Sequence, residues 1–106
     1  MKTILILISS LFLFTHNHGY KVGDVATDFS LSNTKGEMVS LADYADAKGF
    51  IVVFTCNTCP YSVAYEDRIN ALDAKYKSKG YPVIAINPND PAAKTGESLD
   101  DMKTRA

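Results

Sequence analysis

The chain has 106 residues, with 11 basic and 12 acidic side chains and a formal charge of −1. That length holds a single domain, and a balance so close to neutrality argues against a surface that grips nucleic acid or an anionic membrane through bulk charge. At 46% hydrophobic and 22% charged residues the chain is apolar enough to build a core, and its two cysteines exclude a disulfide-dense mini-protein and a four-cysteine zinc site.

Lys2 supplies a positive start, Ile4 to Phe14 (ILILISSLFLF) is uncharged throughout, and Thr15 to Gly19 is a polar exit. This order predicts a secretory signal peptide over residues 1–19, since the apolar run falls short of the ~20 residues that a spanning helix needs. Its removal leaves residues 20–106 working outside the cytosol, periplasmic or secreted, with no stable membrane span.

Phe29 to Ser32 and Glu37 to Ser40 alternate in polarity around the turn residues Asn33 to Gly36, which predicts a β-hairpin. Leu41 to Tyr44 reads as one helical turn. Phe50 to Thr55 (FIVVFT) is a continuous β-branched and aromatic run, the pattern of a central strand buried on both faces. From Pro60 to Lys79 the spacing of Tyr65, Ile69, Leu72 and Tyr76 predicts a helix, closed by Gly80. Tyr81 to Asn87 predicts a second buried strand, so strand, helix and strand form a right-handed βαβ unit. After a polar loop from Pro88 to Glu97, Ser98 and Asp101 match a capping box that opens a last helix.

Cys56 and Cys59 fall where the central strand gives way to the helix, as Cys56-Asn57-Thr58-Cys59. A Cys-x-x-Cys beside a βαβ pattern is a redox motif: three residues make about one helical turn, which brings the second sulfur within reach of the first. The free N–H groups and dipole of the helix N-terminus favour a thiolate there. On this reading Cys56 is the more exposed and more acidic thiol and attacks the substrate sulfur, while Cys59 resolves the mixed disulfide. A purely structural disulfide closing so short a ring stabilises by only about 2 kcal/mol. Zinc needs more ligands, and His16 and His18, the only histidines, lie in the segment expected to leave. Two unpaired core cysteines are the remaining bland alternative. No metal or other cofactor is expected.

Lys21 to Leu31 (KVGDVATDFSL), Val39 to Tyr44 (VSLADY), Phe50 to Tyr61 (FIVVFTCNTCPY) and Val83 to Asp90 (VIAINPND) together resemble the redoxin, or AhpC-TSA-type, branch of the thioredoxin-like superfamily, over Tyr20 to the last residue. The resemblance implies an α/β thioredoxin-like fold with an added N-terminal β-hairpin, a catalytic dithiol at Cys56 and Cys59, and thiol–disulfide exchange in cell redox homeostasis. Its implied partners are protein or small-molecule thiols and disulfides with a thiol reductant. Thr55 stands where thioredoxins proper carry Trp, and Phe50 to Phe54 has no counterpart of their buried acid, so a base has to come from elsewhere or from water. Peroxiredoxins in these families carry Pro-x-x-x-Thr/Ser-x-x-Cys. Here Val53 stands three residues before Cys56 and Gly49 seven before it, so an antioxidant peroxidase ranks second and a non-catalytic binding module third. In the family a further hairpin, entered by a cis-proline, and a closing helix follow the βαβ unit. None of Pro60, Pro82, Pro88 or Pro91 occupies that place, so the expectation is a partial domain over residues 20–106 whose C-terminal ββα part is missing.

Overall fold

The computed structural model describes residues 19–106. The predicted signal peptide, with His16 and His18, therefore lies outside the described residues except for Gly19. Among the described residues no helix is long and apolar enough to cross a membrane.

The predicted hairpin is present in a shorter form. Strands β1 (Leu31–Ser32) and β2 (Met38–Val39) pair antiparallel, with Leu31 opposite Val39 and Ser32 opposite Met38. Asn33 holds the turn: its Oδ1 accepts the N–H groups of Lys35 and Glu37, each at 2.9 Å, an Asx arrangement in which the side chain replaces a backbone acceptor. A 3-10 turn over Leu41–Asp43 follows. Asp28 ties it back to the segment before the hairpin, accepting Leu41 N–H at 2.8 Å and Phe29 N–H at 2.7 Å. These donors, Leu41 first, hold the Asp28 carboxyl below its ordinary pKa. A depressed carboxylate adds stability above its unfolded pKa of ~3.9 and loses it as the pH falls through the folded value. Asp28→Ala should accordingly speed hydrogen exchange at Leu41 N–H at neutral pH, and the difference from the unaltered chain should vanish in strong acid.

Strand β3 (Ile51–Phe54) and strand β4 (Val83–Ile86) pair in parallel, in the register Ile51–Val83, Val52–Ile84, Val53–Ala85 and Phe54–Ile86. Helix α1 (Pro60–Tyr76) connects them, completing the predicted strand–helix–strand unit. The proline opens α1 without cost, because the first N–H groups of a helix have no partner within it. A 3-10 turn over Lys77–Lys79 ends at Gly80, whose φ of 91° is left-handed, and the Gly80 carbonyl accepts Lys48 N–H at 2.8 Å. Asp73 Oδ1 accepts Val83 N–H at 2.9 Å and so fixes the end of α1 to the start of β4.

Helix α2 (Leu99–Arg105) opens on the predicted capping box of Ser98 and Asp101. Arg105 Nε donates to Glu66 Oε1 at 2.7 Å, joining α2 to α1. Both partners are partly exposed, so the pair orients the two helices more than it stabilises them.

The central strand departs from expectation in its burial. Val52 is 44% and Phe54 69% exposed, where the sequence pattern predicts burial on both faces. Among the described residues β3 is paired only with β4, in a two-stranded sheet, and Phe54 lines an open groove with Tyr61, Tyr65 and Leu72 of α1. Ile69, Leu72 and Tyr76 of the predicted helical stripe are half-buried, while Tyr65 is exposed.

Candidate active site

Parallel pairing brings the carboxyl ends of β3 and β4 together, and in such sheets the crevice beyond those ends is where ligands bind. Thr55 N–H donates to the Ile86 carbonyl at 2.9 Å, so the chain leaves β3 at Cys56 beside Asn87. Cys56 and Cys59 are both free and both half-buried. They lie on the connection from β3 into α1, where the sequence places them.

The local geometry differs from expectation in one respect. Helix α1 starts at Pro60 with Cys59 as its N-cap, so the helix mouth belongs to Cys59. No full capping hydrogen bond forms at its side chain. The N–H groups of Ser62 and Tyr61 nevertheless act on Cys59 Sγ and, helped by a hydrogen bond from Cys56, hold its pKa below that of an ordinary thiol. The acidified thiol is thus Cys59, whereas the sequence reading assigned that character to Cys56. Cys56 Sγ lies 3.5 Å from Ser62 Oγ. Cys56 also lines an open cleft of about 350 Å³ with Asn57, Glu66, Asn70 and Arg105, a cleft that Cys59 does not line.

The two residues between the cysteines are held by Glu97 from the loop before α2. Glu97 Oε1 accepts Thr58 N–H at 2.9 Å and Thr58 Oγ1–H at 2.6 Å. Its Oε2 accepts Asn57 N–H at 2.8 Å and Asn87 Nδ2–H at 2.7 Å. The neighbouring Gly96 carbonyl accepts Asn57 Nδ2–H at 3.1 Å. Glu97 is 3% exposed. Thr58 Oγ1, followed by the remaining donors, outweighs the effect of burial and lowers the Glu97 pKa to about 2.

The sequence model of the AhpC/TSA family matches residues 22–104. The chain belongs to the AhpC/TSA family. It is 33% identical to a thiol-disulfide oxidoreductase ResA from Geobacillus kaustophilus, over 74% of this chain and 44% of that protein. Among solved structures it is similar to a hypothetical protein from Sinorhizobium meliloti 1021, with a TM-score of 0.75 and 30% identity over 83% of this chain and 48% of that one. An uncharacterized conserved protein from Geobacillus kaustophilus gives a TM-score of 0.74 and 32% identity over 83% of this chain and 47% of that one. The chain therefore spans about half the length of the relatives it matches. The fold is the α/β, thioredoxin-like one that the sequence implied, with hairpin, strand, helix and strand in the expected order.

Within this AhpC/TSA chain, Val53 lies inside β3 and presents no hydroxyl where the family's peroxidases carry one. Among the described residues there is no group of three or more potential metal ligands. Glu97 is the site residue that the sequence reading missed, and nothing in the local pattern marks it. It sits in a polar loop 39 residues beyond Thr58, and its contacts come from the folding of that loop over the Cys-x-x-Cys turn. Nor does it fill the place of the absent strand acid as a base. A carboxylate with a pKa of about 2 and four donors on its oxygens has little affinity for a proton at neutral pH.

Proposed function

We propose that the protein is an extracytoplasmic thiol–disulfide oxidoreductase whose redox pair is Cys56 and Cys59. The observation that carries this reading is the placement of two free cysteines at the N-terminus of α1, one lining an open cleft and the other acidified by helix N–H groups. Similarity to proteins named thiol-disulfide oxidoreductase ResA supports the same reading, and the apolar run from Ile4 to Phe14 behind a basic start supports the compartment.

In the reduced form the Cys56 thiol gives up its proton to water as it attacks. Cys56 Sγ bonds to one sulfur of the substrate disulfide, and the other sulfur leaves as a thiolate that takes up a proton from water. Cys59 then loses its proton and attacks Cys56 Sγ. The second substrate thiol leaves, and the Cys56–Cys59 disulfide retains the two electrons' worth of oxidation. A thiol reductant restores the pair by the reverse exchange. Substrates are protein or small-molecule disulfides able to reach the cleft beside Cys56.

A glutathione redox titration with mass-spectrometric counting of free thiols tests the assignment. Both thiols of the unaltered chain should disappear together in one two-electron step, and Cys59→Ser should accumulate a mixed glutathione disulfide on Cys56. Independent glutathionylation of the two cysteines would refute the pair. Recovery of the mature protein from a periplasmic or secreted fraction without its first nineteen or so residues would support the compartment.

A further inference from the structure

Glu97 is the one buried charged side chain among the described residues, and the exchange chemistry makes no use of it. Its two oxygens accept four hydrogen bonds, from the spacer residues Asn57 and Thr58 and from Asn87 just past β4. With its lone pairs committed to the protein, the carboxylate has no place for a substrate or a metal ion. Two of its four donors are the backbone N–H groups that follow Cys56 in the chain. A carboxylate competes strongly for such donors, since charge-assisted hydrogen bonds are about twice as strong as neutral ones. A fixed negative charge beside the loop also opposes a second anion close by.

We propose that Glu97 is a positioning residue for the dithiol: by accepting Asn57 and Thr58 N–H it fixes the two-residue spacer and keeps those donors from Cys56 Sγ, leaving the helix N-terminus to act on Cys59. This inference rests on the redox reading of the Cys56–Cys59 pair. The arrangement around Gly96 supports it. A Cβ on Gly96 would stand 2.7 Å from Thr58 Cγ2, so this backbone is pressed against the spacer that Glu97 holds. The other ionisable groups around the clamp are the two thiols, Arg105 of α2, whose charge feels Glu97, and Glu66 of α1, which is paired with Arg105.

Two measurements on the full chain test the proposal. In the first, the backbone amides of reduced, unaltered protein are followed by NMR as the pH is lowered. The Asn57 and Thr58 N–H resonances should titrate together with a midpoint near 2, since the clamp is complete above the ordinary carboxylate pKa of ~4.3 and is lost only through the folded value. Titration at the ordinary value, or none, overturns the clamp. In the second, alkylation of each cysteine is followed against pH in Glu97→Gln, which removes the charge and turns one acceptor oxygen into a donor facing N–H groups. In that variant Cys56 should become the faster-labelled of the two thiols. A purely structural role would loosen the loop without reversing that order, and an unchanged order in the folded variant overturns the proposal. Should Glu97→Gln fail to fold, the amide titration decides. That titration does not depend on disulfide formation, so a failed glutathione titration would remove the redox reading and leave the clamp standing.

Discussion

Cys56→Ser should abolish two-cysteine turnover, yet leave a Cys59 thiol that alkylates with a midpoint below the ~8.5 of an ordinary cysteine. Turnover stops because one sulfur cannot both attack and resolve. Acidity persists because its two largest causes, the N–H groups of Ser62 and Tyr61, belong to the helix and survive the substitution; only the smaller contribution of Cys56 is lost. In the unaltered reduced chain Cys59 should likewise be the first thiol to label as the pH is raised. The same depression makes reduced protein pH-sensitive in a defined direction. The stabilisation is fully present above the unfolded thiol pKa of ~8.5 and disappears as the pH falls through the lower folded value. Peptide mapping after pulsed iodoacetamide labelling across a pH series measures the Cys59 midpoint and the order of labelling. Labelling of Cys56 ahead of Cys59 in the unaltered chain would show that the helix mouth does not act on Cys59 as its geometry indicates.

Gly96→Ala should be the most disruptive single change outside the cysteines. Gly96 has φ +84°, where an L-residue costs about 1–2 kcal/mol. Its new Cβ would meet Thr58 Cγ2 at 2.7 Å. Thr58 cannot turn aside cheaply, because it is β-branched and its hydroxyl is held 2.6 Å from Glu97 Oε1. The spacer between the cysteines must shift, with strain on the Asn57 and Glu97 hydrogen bonds. Gly36→Ala is the matched control, since it has the same φ of 84° but nothing within 4 Å of the added Cβ. Backbone strain alone lowers Tm by about 4–8 °C per kcal/mol in a domain of this size. Gly36→Ala should show only that loss and keep its redox titration, whereas Gly96→Ala should melt lower still and exchange more slowly. Equal melting temperatures and equal exchange rates in the two variants would show that the contact with Thr58 is unimportant.

Much of this architecture is legible residue by residue. The alternation around Asn33 to Gly36 gives a hairpin, FIVVFT and the Val83 to Ile86 run give two strands, and Ser98 with Asp101 gives a capped helix start, because each pattern reports short-range backbone chemistry. The place of the two cysteines between strand and helix is legible for the same reason. Burial is a different matter. The apolar character of Val52 and Phe54 records a preference for being covered, while covering depends on which elements pack there, and in this structure both remain open.

By itself, then, the sequence determined the order of elements, the strand–helix junction that carries the dithiol, and the identity of its two sulfurs, all consequences of residues within a few positions of one another. Only the tertiary structure decided which thiol is acidified. That outcome turns on where the first turn of α1 begins relative to Cys59 and on whose N–H groups remain free. It also brought in Glu97, since a contact across 39 or 40 residues between a polar loop and the cysteine spacer leaves no periodicity to read. Local propensities act over a turn or a strand, whereas the electrostatics of the site are set by groups that meet only when the loop before α2 folds back over the carboxyl ends of β3 and β4.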